Sequence, residues 1–488
     1  MNDSGENAAA ARRGFAAASS GGQGGRRGGD ASLGELVGAG AAGRSPLLNR
    51  RNVLQGAAAV AGATLLPSCA HTSSGPALPA APELPGGLTV KGTRFVKNGK
   101  PFFISGINYW AGPTLARDGN QAGWDQVRRD LDGIQAAGIN MIRACAATEG
   151  PDSEPYRIVP TIQPAMGQYD PAGIGGVMRF SEEIAKRGLH AIYMLNNFWQ
   201  WSGGFAQYLS WAGAGAIPYP PPTPGGSWDR FQHFAGGFYT NATAVGAYEA
   251  FIKFLVPKLA GNSMIIWELA NEPRGMNSIG AYHKWIDTTA RLIKSLAPSQ
   301  LVTTGSEGQT ASPRYAGLDV VADHGSAAID FICFHMWAAN WGWVNKDNLA
   351  KGYPRALEKA KKYVNEHAAA AAKVGKPILL EEFGFPRDGG SYDPASPVTL
   401  RDQYFQETYA LVQSLLPTTP MAGVMPWAWA GDSRPPRPGQ FWKPGDPFIG
   451  DPPHEEQGWY SIFDKDSTLK LITDWSPKMT ATGPGVVA

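Results

Sequence analysis

Between Phe102 and Trp427, short apolar runs alternate with longer stretches whose apolar residues recur every three to four positions. The short runs read as buried strands and the longer stretches as amphipathic helices. The strand-type runs are Phe102 to Asn108, Met141 to Ala144, His190 to Leu195, Met264 to Leu269, Leu301 to Thr304, Phe331 to Phe334, Pro377 to Leu380 and Val424 to Trp427. Helix-period stretches follow most of them: Trp124 to Ala137, Gly173 to Arg187, Thr243 to Leu259, Ile279 to Leu296, Leu349 to Val374 and Leu400 to Leu415. Strands alternating with helices require a parallel sheet with right-handed crossovers, because each helix must cover the apolar sheet face it leaves. Eight such units predict an α/β protein with a (β/α)8 TIM barrel. A doubly wound sheet would open its first helix with a Gly-rich turn, and Gly106-Ile-Asn-Tyr-Trp110 stands there instead.

The pattern fills residues 88–488 as a single domain, with no second linker and no repeat of solenoid period. Ahead of it, residues 1–45 are a Gly/Ala/Ser/Arg mixture too poor in large apolar side chains to offset ordering entropy, and disorder is expected. Residues 46–70 combine Arg50-Arg51, the apolar run Val53 to Leu66 and a small-residue end, which resembles a twin-arginine export signal. The run falls short of the roughly 20 residues a membrane-spanning helix needs. Leu66-Pro-Ser-Cys69 reads as a lipoprotein cleavage box and Ser68-Cys-Ala70 as an ordinary peptidase site. A lipid anchor through Cys69 and release without one both stay open, and the chain is expected to be exported: secreted, periplasmic or held at the cell envelope. Residues 71–87 form a linker.

Composition narrows the chemistry. With 43% hydrophobic and 17% charged residues the chain is of ordinary globular type, and a formal net charge of +2 supplies no basic stripe for nucleic acid. The three cysteines, Cys69, Cys145 and Cys333, have no metal-type spacing, so neither a zinc site, another metal nor a cofactor is expected. Sixteen Trp can serve as core volume or as flat apolar plates with an N–H donor. Trp110, Trp199, Trp201, Trp211, Trp341 and Trp343 fall in loops or at strand ends, and two or three of them are expected to meet a polymeric ligand. The protein is expected to act as a monomer.

Barrel chemistry sits where strands end at the carboxyl face. The polar residues closing the runs are Asn108, Arg143, Asn196, Asn197, Asn271, Glu272, His335, Glu381 and Glu382, with Trp427. Amides, one Arg, one His and opposed Glu suit carbohydrate. Glycoside cleavage needs one protonated carboxyl to assist the leaving oxygen and one ionised carboxylate to attack the anomeric carbon.

Trp267-Glu-Leu-Ala-Asn-Glu-Pro-Arg274 and Lys376-Pro-Ile-Leu-Leu-Glu-Glu-Phe-Gly384 resemble the fourth- and seventh-strand signatures of glycoside hydrolase family 5, in clan A. Gly106-Ile-Asn-Tyr-Trp110, Leu195-Asn-Asn-Phe-Trp199, Phe238-Tyr-Thr-Asn241 and Gly423-Val-Met-Pro-Trp-Ala-Trp429 resemble its mannanase branch, as does Pro453 to Phe463, which should cap the cleft. The resemblance implies Glu272 as acid/base and Glu382 as nucleophile. It also implies substrate contacts or support from Trp110, Arg143, Asn197, Asn271, His335, Trp337 and Trp427. Trp337 stands where many relatives carry Tyr. The implied activity is retaining, endo-acting β-mannanase cleavage of mannan, glucomannan or galactomannan. An endoglucanase, an exo-β-mannosidase and a non-catalytic glycan-binding barrel are the alternatives. Glu268, four residues before Glu272, is expected deep in the barrel as a buried partner of Arg. Glu381, next to Glu382, is expected on the opposite strand face.

Overall fold

The computed structural model describes Leu78 and residues 81–481. The expected disordered and signal segments, residues 1–45 and 46–70, lie outside the described residues, as does most of the linker. Eight parallel strands form one sheet: β1 Ile104–Asn108, β2 Met141–Cys145, β3 His190–Met194, β4 Ile265–Glu268, β5 Val302–Thr303, β6 Ile332–Trp337, β7 Ile378–Gly384 and β8 Met421–Pro426. Each pairs with its sequence neighbour except β5 with β6, and β8 pairs with β1, so the sheet curls into a nearly closed barrel. At the seam between β5 and β6 the ladder gives way to single bonds: Asp330 N donates to Val302 O, Thr303 Oγ1 to Phe331 O and His335 N to Glu307 O.

The outer layer comprises α1 Gln121–Ala136, α2 Pro171–Lys186, α3 Ala242–Leu259, α4 Ile279–Leu296, α5 Leu349–Val374, α6 Thr399–Leu415 and α7 Ser467–Thr480. After β5 the crossover is made only by the short helices Pro313–Ala316 and Val320–Asp323. Asn120, Asp170 and Asn241 start α1, α2 and α3 by accepting from the backbone N–H of Gly123, Gly173 and Ala244. Such a cap contributes about 1 kcal/mol.

Two apolar clusters sit on either side of the sheet. The outer one packs strands against helices. The inner one takes Ile104, Met141, Ile192, Ile266, Leu379 and Met425 from the strands and is closed from below by Leu88 and Phe95. Phe95 belongs to an antiparallel sheet of Thr89–Lys91, Arg94–Lys97 and Lys100–Phe102. The run expected as the first strand therefore divides: Phe102 ends this plug, and β1 starts at Ile104. With the amino-terminal mouth filled, the carboxyl-terminal mouth is the one left for a ligand.

Candidate active site

The carboxylates at that mouth come from segments with different geometry. β4 ends at Glu268, so Asn271 and Glu272 lie beyond it on the rim. The rim segment stays bonded to both neighbours, with Asn271 N donating to Asn196 O and Glu272 N to Gly305 O. Glu272 turns into the left-handed region, at φ 50°. Gly305 makes this close approach possible, since a Cβ there would stand 1.9 Å from Ala270 O and 2.4 Å from Glu268 Oε1. Glu268 is therefore not buried deep below the strand end, as expected from a longer β4. It lies directly under the rim, fully enclosed.

On β7, register with β6 skips one residue: Leu380 pairs with Phe334 and Glu382 with His335. The bulge cancels the alternation that would send Glu381 and Glu382 to opposite faces. Both lie inside the barrel, with Glu381 Oε2 3.7 Å from Arg143 Nε and 3.5 Å from His335 Nε2.

Arg143 organises this interior. Its Nε and Nη2 donate to the two oxygens of Glu268 at 2.6 and 2.7 Å. Nη2 also donates to Asn271 Oδ1 at 2.7 Å, and Nη1 donates to Asn108 Oδ1 at 3.1 Å and to Glu382 Oε1. All five N–H groups of a guanidinium thus have acceptors. The Trp337 indole donates to the other oxygen of Glu382 at 3.2 Å. Glu272 is held separately: Trp199 Nε1 donates to its Oε2 at 2.5 Å, and His335 Nδ1 lies 2.7 Å from its Oε1. One oxygen each of Glu272 and Glu382 and one His335 ring nitrogen lie within 4.8 Å of one another.

Burial raises both carboxyls above the ordinary range, with Arg274 opposing the rise at Glu272 and Arg143 at Glu382. Glu382 alone of the pair accepts a hydrogen bond from the Arg143 guanidinium, a contact that favours its anion over that of Glu272. Burial lowers His335 to about 4, so it bridges the pair as a neutral ring. Although Glu272, His335 and Glu382 are ligand-type side chains, the fixed Trp199, Arg143 and Trp337 donors occupy the carboxylate oxygens a cation would need.

A cavity of about 620 Å³ opens above the pair. Asn271, Glu272, Trp337, Glu382 and Trp427 line it, as expected, and of the six loop tryptophans Trp199, Trp201 and Trp341 do so. Trp110 does not: it is enclosed, donates its N–H to Gly450 O at 2.9 Å and packs against Trp201 and Phe448. It supports the cavity wall and has no donor left for a sugar. Asn197 is likewise enclosed, accepting from Trp199 N and Asn271 Nδ2. Arg143 and His335 lie under the carboxylates and orient them. Trp211 packs edge-on against Tyr208, and Trp343 against Trp341 and Tyr363.

The lining also includes Trp228, Gln232, Arg274, Glu307, Asn340, Phe441, His454, Glu455 and Trp459, which the strand-end reading missed. They come from the segments between strands and helices, Trp228 and Gln232 from the short helix Trp228–Ala235. Arg274 stands beside Glu272 in its motif, and His454, Glu455 and Trp459 fall in the segment expected to cap the cleft; nothing in sequence marked the others. The segment expected to cap the cleft does form its wall. Asp451 ties that wall together by accepting from Gly458 N, Tyr460 N and Ser461 Oγ. At its far end Phe441 meets Tyr156 of the β2–α2 loop edge-on at 5.5 Å.

Comparison with known proteins agrees with this geometry. The model of a family described as GH family 5 beta-mannosidase-like matches residues 87–483. Mannan endo-1,4-beta-mannosidase A of Podospora anserina is 30% identical over 316 residues, which cover 61% of this chain and 74% of that one. The probable mannan endo-1,4-beta-mannosidase A of Aspergillus oryzae is 28% identical over 67% of this chain and 79% of its own. The crystal structure of a glycoside hydrolase family 5 mannosidase from Rhizomucor miehei is similar with a TM-score of 0.73 at 30% identity, over 81% of this chain and 98% of that one.

Proposed function

The chain belongs to the β-mannosidase-like group of glycoside hydrolase family 5, and from that premise we propose that it is a retaining β-mannanase acting on internal β-1,4-mannosidic bonds of mannan, glucomannan or galactomannan. The observation that carries the reading is the opposed pair Glu272 and Glu382, with oxygens within 4.8 Å across the floor of an aromatic-lined cavity. Retaining glycosidases hold their carboxyl groups about 5–5.5 Å apart and inverting ones further, to admit a water.

In this mechanism Glu382, ionised beside Arg143, attacks the anomeric carbon while Glu272 protonates the departing oxygen, leaving a covalent glycosyl-enzyme. Glu272, now a base, takes a proton from the water that releases the sugar. Asn271 is clamped by Arg143 on its oxygen and by Asn197 on its amide, which leaves one N–H for the sugar 2-hydroxyl. Trp427 offers an apolar face for the cleaved ring. The test is hydrolysis of unbranched mannan, cellulose and xylan with NMR of the nascent anomer. Short β-configured manno-oligosaccharides from mannan alone support the reading, and α-configured products refute retention.

The contact between Phe441 of this wall and Tyr156 of the β2–α2 loop, which joins two loops beside the cavity, favours a second reading, exo-attack from the non-reducing end. Mannose as sole early product, with little loss of mannan viscosity, would select it. Export through the twin-arginine segment is part of the proposal. Arg50→Lys with Arg51→Lys is expected to leave the protein in the cytoplasm on cell fractionation, and unchanged export would refute it.

A further inference from the structure

Glu272 is gripped on its outer oxygen by an indole that is itself fixed from several directions. Trp199 N donates to Asn197 Oδ1 at 2.9 Å, and Phe231 stacks nearly parallel to the ring at a centroid distance of 6.3 Å. The Arg274 guanidinium lies 4.9 Å from the same ring's centroid. Arg274 is in turn fixed at two points, its Nε donating to Glu307 Oε1 at 2.5 Å and its Nη1 to Gln232 Oε1 at 2.6 Å. Glu307 is 1% exposed, and its backbone oxygen accepts from His335 N and Tyr363 Oη. The contacting residues Glu307, Arg274, Trp199 and Glu272 all line the cavity.

We propose that Glu307 is a positioning residue for departure of the aglycone: through Arg274 it holds the Trp199 indole in the one orientation that aims the Glu272 carboxyl at the leaving oxygen. Glu307 touches no reacting atom. A desolvated ion pair is an expensive way to brace an aromatic ring, and a merely structural brace would not need its cation two residues from the acid/base. The arrangement also sets charge around Glu272. Facing it are Arg274 and Arg143 as cations, Glu382, Glu307, Glu268 and Glu455 as carboxyls, neutral His335, and Tyr363. Removing the Glu307 charge leaves Arg274 unbalanced and favours the Glu272 anion. Removing the Trp199 N–H takes a donor from that anion and disfavours it.

This inference rests on the glycosidase reading, and the experiment separates the two. kcat/KM is measured for the 4-nitrophenyl and 2,4-dinitrophenyl glycosides of β-1,4-mannotriose, of which the second leaves without acid assistance. The proteins are the wild type, Glu307→Gln and Trp199→Phe, the phenyl ring keeping the packing under Arg274. In both variants the ratio of the two kcat/KM values, poorer over better leaving group, should fall by about tenfold, within the 10²–10⁴-fold that general acid catalysis supplies. The alkaline limb of the kcat/KM profile should move to lower pH in Glu307→Gln and to higher pH in Trp199→Phe. Equal losses on both substrates with an unmoved limb overturn the positioning role. A wild type that hydrolyses neither unbranched mannan nor either aryl substrate overturns the glycosidase reading instead.

Discussion

Arg143 joins the residues that were legible in sequence to those that were not. A strand-end Arg and two Glu at opposed strand ends could be read from pattern and family resemblance, and the structure places Arg143, Glu272 and Glu382 in one constellation. What the pattern could not supply is which carboxylates share the guanidinium. Glu268 takes two of its N–H groups and Glu382 another, so Glu268 influences the nucleophile through one intervening cation. Glu268→Ala is therefore expected to do two things. Urea unfolding should show a loss of about 3–5 kcal/mol, the usual cost of leaving one member of a buried pair alone. Turnover should also fall as Arg143 loosens. Glu272→Ala and Glu382→Ala should each abolish most turnover while circular dichroism shows the fold intact, and full turnover in either would refute the assignment. Trp110 marks the opposite error. Its place beside β1 suggested a sugar contact, but burial of an indole depends on what the loop after β8 brings over it.

At the scale of elements, helices were legible almost to their ends because their apolar period is sustained and their caps are Asn and Asp. Ile279–Leu296 and Leu349–Val374 coincide with the expected stretches. Strand ends were less so: a buried strand carries a run of apolar residues with no period to terminate it, and the bulge at Glu381 has no marker in composition. Replacing Asp170 by Ala should lower stability by about 1 kcal/mol in urea melts through loss of the α2 cap, with activity unaffected. The loop after β2 holds a different lever. Burial raises Glu149 to about 8 from an ordinary 4.5, while its Oε2 accepts from Gly204 N. The folded state therefore keeps a proton that the unfolded state has released above about 4.5. Stability from this group is full below that pH and is lost as pH rises towards 8. Glu149→Gln should match the wild type near pH 5 and exceed it near pH 9, as read from urea midpoints. Parallel pH dependences would refute that.

For the whole molecule, barrel closure explains why one mouth is available. Leu88 and Phe95 seal the amino-terminal end, and the loops after β3, β4, β5, β6 and β8 wall the other. Among the described residues, the inner cluster draws nothing from before Leu88. A chain starting at residue 78 is expected to keep the melting temperature and mannan turnover of the full chain. A large fall in either would show that the preceding residues contribute to the domain.

The sequence by itself determined the architecture, the two strand-end carboxylates Glu272 and Glu382 that meet at the mouth, and the class of chemistry, because period and strand-end position are local properties and the motifs sit on neighbouring residues. Only the tertiary structure decided which donors hold each carboxylate, that Glu381 faces inward, that Trp110 is a support, and that Glu307 and Arg274 belong to the site. Those facts depend on contacts between segments far apart in the chain, where closing the barrel sets one loop against another and burial, not residue type, fixes what a side chain can do.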